Sequence, residues 1–163
     1  MESSSKEDSD TDAYPVILPM LGFTGDFHNP GASPAEPRAL YLHGYVSSRI
    51  MRMSSAGNKE NGNNKDGIPV CVAATLFDGV VLALTPNHHS CNYRSAVVFG
   101  RAHIVTDEAE RLWAMERTTD NLVPGRWAAT RYPNAVEQKS TGILRVDIAS
   151  ASGQDPYRLN RRG

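Results

Sequence analysis

A mainly β domain, a β-barrel with one or two helices, is the fold class that this sequence predicts. Three observations predict it. About six short runs, apolar or alternating, are bounded by Gly, Pro, Asn and Asp, the pattern of strands joined by turns. Only one long stretch, from Thr106 to about Leu122, carries a helical start signal and helical spacing. An antiparallel sheet closed on itself suits such strands, because closure removes the edges they would otherwise expose; a sandwich is the alternative.

Taken in order, residues 1–12 hold Glu2, Glu7, Asp8, Asp10 and Asp12 against Lys6, with no apolar residue after Met1. They are expected to form a disordered acidic tail. Ala13–Leu21 is apolar, but Pro15 and Pro19 lack the N–H that a central strand donates, so an edge or bulged strand is expected. Gly22–Pro37, dense in Gly and Pro, reads as a loop. Arg38–Gly44 alternates and reads as a strand. Ser47 or Ser48 then caps a short helix with Arg49 in its first turn. Ala56–Gly67, rich in Asn and Gly, reads as a flexible loop.

Ile68–Phe77 and Val80–Thr85 read as two strands of a hairpin about Asp78-Gly79. Pro86–Asn92 is a connection, and Tyr93–Val105 a long strand with Gly100 marking a bulge or bend. Thr106-Asp107-Glu108 opens the one long helix, with Ala109, Leu112, Trp113 and Met115 as its buried side. Val123-Pro124-Gly125 ends it, and a helical turn is expected at Arg126–Arg131. Thr141–Ala149 is the last strand, and residues 151–163 form a polar, basic tail. The organisation expected is one domain, 13–150, between two tails.

Composition narrows the function classes. A net charge of −1 in 163 residues makes no electrostatic case for nucleic acid or an anionic membrane as partner. No apolar run approaches the ~20 residues that span a bilayer, and the acidic N-terminus is unlike a signal peptide. Cys71 and Cys91 have no C-x-x-C spacing and fit a reducing, cytoplasmic setting. Phosphate-loop, dinucleotide-fold and nucleophile-elbow motifs are missing from the sequence.

Two clusters bear chemistry. Ser47-Ser48-Arg49, after a strand and at a helix start, offers hydroxyls, backbone N–H groups and a guanidinium, the elements of an anion site. Taken alone, a plain helix cap explains it as well. His89 and Asn92-Tyr93-Arg94-Ser95 put polar groups at the mouth of Ala-Val-Val-Phe. Alternation sets Asn92 and Arg94 on one face, Tyr93 and Ser95 on the other; a tyrosine at a core rim and a solvated arginine is the bland alternative. The adjacent His88 and His89 point to opposite faces of a strand and lack further ligands at a familiar spacing, so no metal site is expected.

Three stretches together resemble a known family. They are Leu42-His43-Gly44-Tyr45-Val46-Ser47-Ser48-Arg49, Asp78-Gly79-Val80-Val81-Leu82-Ala83, and His89 through Ala102; Leu122-Val123-Pro124-Gly125-Arg126-Trp127 is a further signature. They resemble the pyridoxamine 5′-phosphate oxidase-like FMN-binding split-barrel flavoproteins, in the flavin-nucleotide-binding branch related to nitroimidazole-resistance proteins. The resemblance covers about residues 13–150. It implies a homodimer with FMN in the cleft between subunits. Ser47, Ser48 and Arg49 match the residues that hold the phosphate. Val16, Ile17 and Leu18 match the strand that passes the isoalloxazine ring. His89, Asn92, Tyr93, Arg94 and Ser95 match the block that completes the pocket.

The resemblance implies an FMN-dependent oxidoreductase of unassigned substrate, with no catalytic residue identified. A non-catalytic flavin or haem binder on the same fold is the alternative, with His43, His88 and His89 as candidate axial ligands. Family members begin with a helix and a first strand ahead of the stretch matching Tyr14, where this chain has its acidic segment. Either the start is truncated or the barrel has one strand fewer. The tail at Asp155–Leu159 does not match the substrate-binding stretch of the vitamin-forming oxidases, so pyridoxamine phosphate oxidation itself is not expected.

Overall fold

The computed structural model describes residues 15–33, 39–60 and 67–155. Five antiparallel strands form one curled half-barrel sheet in the order β1-β2-β5-β4-β3: β1 (Leu21–Gly25), β2 (Ala39–Tyr45), β3 (Ile68–Val81), β4 (Ser90–Ile104) and β5 (Thr141–Gln154). Three helices accompany them: α1 (Arg49–Glu60), α2 (Glu108–Leu122) and α3 (Ala135–Ser140). The mainly β, split-barrel class is borne out. Full closure is not: β1 and β3 are the two edges of the sheet, and among the described residues they do not pair. The expected acidic tail and the end of the basic tail lie outside the described residues, as does any strand ahead of residue 15.

The sheet is buried on both faces where β2, β4 and β5 meet. Strand alternation sends Ala39, Tyr41 and Ile143 toward α2, where Ala114 and Met115 receive them with Phe23 and Trp113 at the margin. It sends Leu42, Leu144 and Val146 toward α1, where Met51 packs. Burial of these strands on both sides explains the nearly continuous apolar run Gly142-Ile143-Leu144 at the start of β5.

Several expectations shift by identifiable physics. Pairing begins at Leu21, opposite His43, and not in the 13–20 run, whose described part, 15–20, is unpaired. Pro15 and Pro19 cannot donate to a ladder, whereas Leu21 and the following Gly22–Gly25, read as loop, can. α1 continues to Glu60 through the stretch read as a loop from Ala56, since Ala56, Lys59 and Glu60 are good helix formers that offset Gly57 and Asn58. The Asp78-Gly79 hairpin is not formed: β3 runs straight through, and Asp78 is the extra residue of a bulge between Phe77 and Gly79. Among the described residues there are therefore five strands rather than about six, and the reversal falls at 82–89, around a 3-10 turn at Pro86–His88.

Gly100 does sit at a bulge, in the β4–β5 register. A Cβ there would stand 2.4 Å from the Asp147 carbonyl oxygen, so only glycine lets the strands approach. α2 begins at Asp107, whose side chain accepts from Glu110 N. Its buried face is Glu110, Ala114, Met115 and Thr118 rather than Ala109, which is exposed. Among the described residues no helix is long and apolar enough to cross a membrane.

Candidate functional site

The first cluster is built where β2 runs out. Val46 N donates to Ser140 O and Ser48 N to Tyr45 O at 2.9 Å, turning the chain off the sheet edge. Arg52 N then donates to Ser48 O at 3.1 Å, so Ser48 is the residue at which the α1 ladder starts. The N–H groups of the first turn lie ahead of that ladder and point out of the helix start. The Ser48 hydroxyl is buried and has no hydrogen-bond partner among the described residues. The expected capping position is right, but the hydroxyl is not spent on capping. Ser47 and Arg49 are exposed beside it.

The segment before β1 runs to the same place. Leu21 pairs with His43, so the antiparallel register carries residues 15–20 past the end of β2. Met20 Cε lies where a Cβ on Gly44 would touch it, at 2.9 Å, and Met51 Cε closes the other side at 3.1 Å. Val16, Ile17 and Leu18 are exposed here, Ile17 at 91%. Thus the expected ring-side segment and the expected anion end are neighbours in one chain.

The second cluster stands at the far end of the sheet. On the N-terminal side of Gly100, β4 extends between β3 and β5 as far as Ser95, opposite Gln154, and from Arg94 to Ser90 it pairs with β3 alone, as a two-stranded arm. Tyr93 donates from its hydroxyl to Gln154 Oε1 at 2.9 Å. Arg94 is held side-on by Asp78, with Nε to Oδ2 at 3.0 Å and Nη2 to Oδ1 at 2.9 Å. That contact holds the Asp78 carboxyl below the usual carboxylate range. His89 Nδ1 accepts from Ala83 N at 3.1 Å, a contact that selects the tautomer with the hydrogen on Nε2. His88 Nδ1 meets Thr85 Oγ1. Asn92 lies opposite Gly79, and Ser95 between Thr75 and Gln154.

The two clusters are not brought together within one chain. Ile104, not Asn92, shares a level with Leu144 and Leu42 near the end of β2. From Asn92 to Ile104 is about 40 Å of strand at ~3.3 Å per residue. Asp78 was missed as a functional candidate because Asp-Gly reads as a turn. The signal was present, since a polar residue and a glycine inside an alternating run also mark a bulge.

A third polar group is buried elsewhere. Tyr41 donates to Glu110 Oε1 at 2.7 Å, and Arg145 Nη1 lies 3.4 Å from the same oxygen. Asp147 joins Arg145 to His103, at 3.1 and 3.3 Å. Burial, then the Glu110 hydrogen bond, pushes the Tyr41 phenol well above its ordinary range. This chain stitches α2 to the sheet, and none of its groups reaches either cluster. Burial also lowers His43 below 6.5.

The family description pyridoxamine 5′-phosphate oxidase matches residues 9–155, almost the whole chain. The chain belongs to the pyridoxamine 5′-phosphate oxidase family. Its split-barrel members are represented among similar solved structures. A FAD and heme binding protein from Mycobacterium smegmatis is 30% identical with a TM-score of 0.58, over 72% of this chain and 53% of that one. This chain therefore spans about half the length of that relative. The flavocytochrome Anf3 from Azotobacter vinelandii is 24% identical, TM-score 0.57, over 87% and 67%. A candidate 5-nitroimidazole antibiotic resistance protein from Bacteroides thetaiotaomicron is 18% identical, TM-score 0.53, over 89% and 71%. The latter two likenesses speak to the fold. No curated protein matches the sequence closely enough to count as a relative.

Proposed function

We propose that this member of the pyridoxamine 5′-phosphate oxidase family is an FMN-binding flavoprotein that holds its cofactor between two copies of the chain. The observation that carries the reading is the Ser48 hydroxyl, buried and unpartnered among the described residues at the start of α1, with Ser47 and Arg49 on either side. A buried polar atom left without a partner costs ~1–3 kcal/mol, and a phosphate ester seated on the helix start would satisfy it. The helix end favours negative charge, and the guanidinium adds a planar donor fork. The likeness to a protein that binds FAD and heme supports a flavin as the ligand class. A phosphate monoester at this end favours FMN within that class.

The second copy follows from where the clusters lie. One chain keeps Val16–Leu18 and Ser47–Arg49 at one end and His89–Ser95 at the other. The arm carrying the latter is apolar and bare: Phe77 is 64% exposed, Leu82 80% and Leu84 fully. Exposed large apolar side chains of this kind favour an interface. A two-fold pair with the arm of one copy over the Ser47 end of the other would cover it and complete the pocket. Free Cys71 and Cys91 suit the reducing cytoplasm.

When bound, the flavin would supply hydride or electron transfer, as in an FMN-dependent oxidoreductase; the chain's own groups would bind and orient it. Purified protein is expected to be yellow, and Arg49→Ala to lose most of its FMN. Colourless protein that takes up no added FMN would overturn the reading.

Haem on the same fold has one observation in its favour. An axial histidine usually anchors one ring nitrogen and offers the other. His88 can take that arrangement, in the tautomer whose Nδ1 donates to Thr85 Oγ1. His89 does not, since its Nδ1 accepts a backbone proton and Nε2 carries the hydrogen. A Soret band on haem addition that vanishes in His88→Ala would favour this second reading; no band in wild type would discard it.

A further inference from the structure

The Asp78–Arg94 pair sits where stability does not explain it. The Arg94 side chain is 51% exposed and the Asp78 side chain 17%, on an arm that neither α1 nor α2 covers. An exposed pair of this kind contributes little to stability. The pair stands at an irregularity of the β3–β4 ladder. Phe77 pairs with Tyr93 and Gly79 with Asn92, so Asp78 is the inserted residue; Leu76 pairs with Arg94, and alternation from Leu76 sets the Asp78 carboxylate on the Arg94 face. Two parallel N–H···O contacts fix the plane of the guanidinium as well as its place.

We infer that Asp78 is a positioning residue that aligns Arg94 toward the flavin ring and partly neutralises its charge there. The inference rests on the flavin reading, in which the Arg94 cluster faces the ring end of the pocket. Charge beside a flavin ring sets the balance between its oxidised and reduced forms, because the reduced ring is readily anionic. Arg94 paired with Asp78 presents an oriented donor with little net charge. Removing only the carboxylate charge leaves the arginine fully positive at the same place and stabilises the reduced ring.

The test compares wild type, Asp78→Asn, Arg94→Ala and the double variant, each titrated with oxidised FMN and with FMN reduced by dithionite under anaerobic conditions. Asp78→Asn keeps the shape and an acceptor for Arg94. It is expected to shift the ratio of reduced-to-oxidised affinity about tenfold toward reduced FMN. The shift should disappear in the Arg94→Ala background, because Asp78 acts through Arg94. A merely structural role would lower both affinities together and leave the ratio alone, which would overturn the inference. An equal shift with and without Arg94 would also overturn it. Failure of wild type to bind FMN in either form would instead bring down the flavin reading and this inference with it.

Discussion

At the scale of single residues, the chain separates polar groups that hold the fold from polar groups left for a ligand. Tyr41 and Glu110 belong to the first kind. Both are buried, and the phenol donates at 2.7 Å to a carboxylate whose other partner, Arg145, stands at 3.4 Å. Tyr41→Phe keeps the ring packing against Phe23 and Trp113 but leaves the carboxylate short of its near donor. Urea unfolding is expected to show a loss of ~1–3 kcal/mol, with FMN affinity unchanged. Ser48 belongs to the second kind. Ser48→Ala removes a hydroxyl that nothing among the described residues uses, so stability should hold or rise slightly while FMN binding weakens about tenfold. The role of Glu110 was not legible from the sequence. A charged residue on an amphipathic face is read as outward, and only the positions of Tyr41 and Arg145, thirty-five and more residues away, turn it inward.

At the scale of elements, local signals were legible wherever the cause was local. Asp107 marks the start of α2, Val123-Pro124-Gly125 its end, and Gly100 the β4 bulge, each because the residue's own geometry demands it. Asp78-Gly79 was misread because the dipeptide serves a turn and a bulge alike, and only the partner strand decides between them. α3 went unread although Asn134 and Glu137 form a capping box: the side chain of Asn134 accepts from Glu137 N at 2.9 Å, and Glu137 accepts from Asn134 N at 2.8 Å.

That box makes two predictions. Asn134→Ala should cost ~1 kcal/mol of stability. The Arg131 hydrogen bond, with the Asn134 backbone second, lowers Glu137 from 4.5 to about 2. Its folded value is depressed, so its contribution is complete above 4.5 and is lost as pH falls toward about 2. The acid limb of the stability curve in that window should flatten in Glu137→Gln, as measured by thermal melts across pH.

At the scale of the whole molecule, the two halves of the expected site are each legible as short motifs, but their separation is not. Nothing in Ser47-Ser48-Arg49 or Asn92-Tyr93-Arg94-Ser95 tells a reader that twelve residues of β4 keep them apart; that follows from the sheet order, in which β2 meets only the C-terminal end of β4 by way of β5. The separation gives the dimer proposal its content. Leu82→Asp with Leu84→Asp lies far from Ser48 in the chain and touches no buried core. Sedimentation should show the paired species replaced by monomer, and FMN affinity should fall with it although the phosphate end is intact. Monomers that still bind FMN at wild-type affinity would place the whole pocket within one chain.

The central claim is that a phosphate seats at the start of α1 and carries a flavin with it. Parallel titrations of wild-type protein with FMN and with riboflavin, followed by the visible flavin band and by quenching of its fluorescence, test it most directly. Saturable uptake is predicted, with FMN preferred over riboflavin at least about tenfold and the preference largely lost in Arg49→Ala. Equal affinity for the two ligands, or a preference indifferent to Ser48 and Arg49, would contradict it.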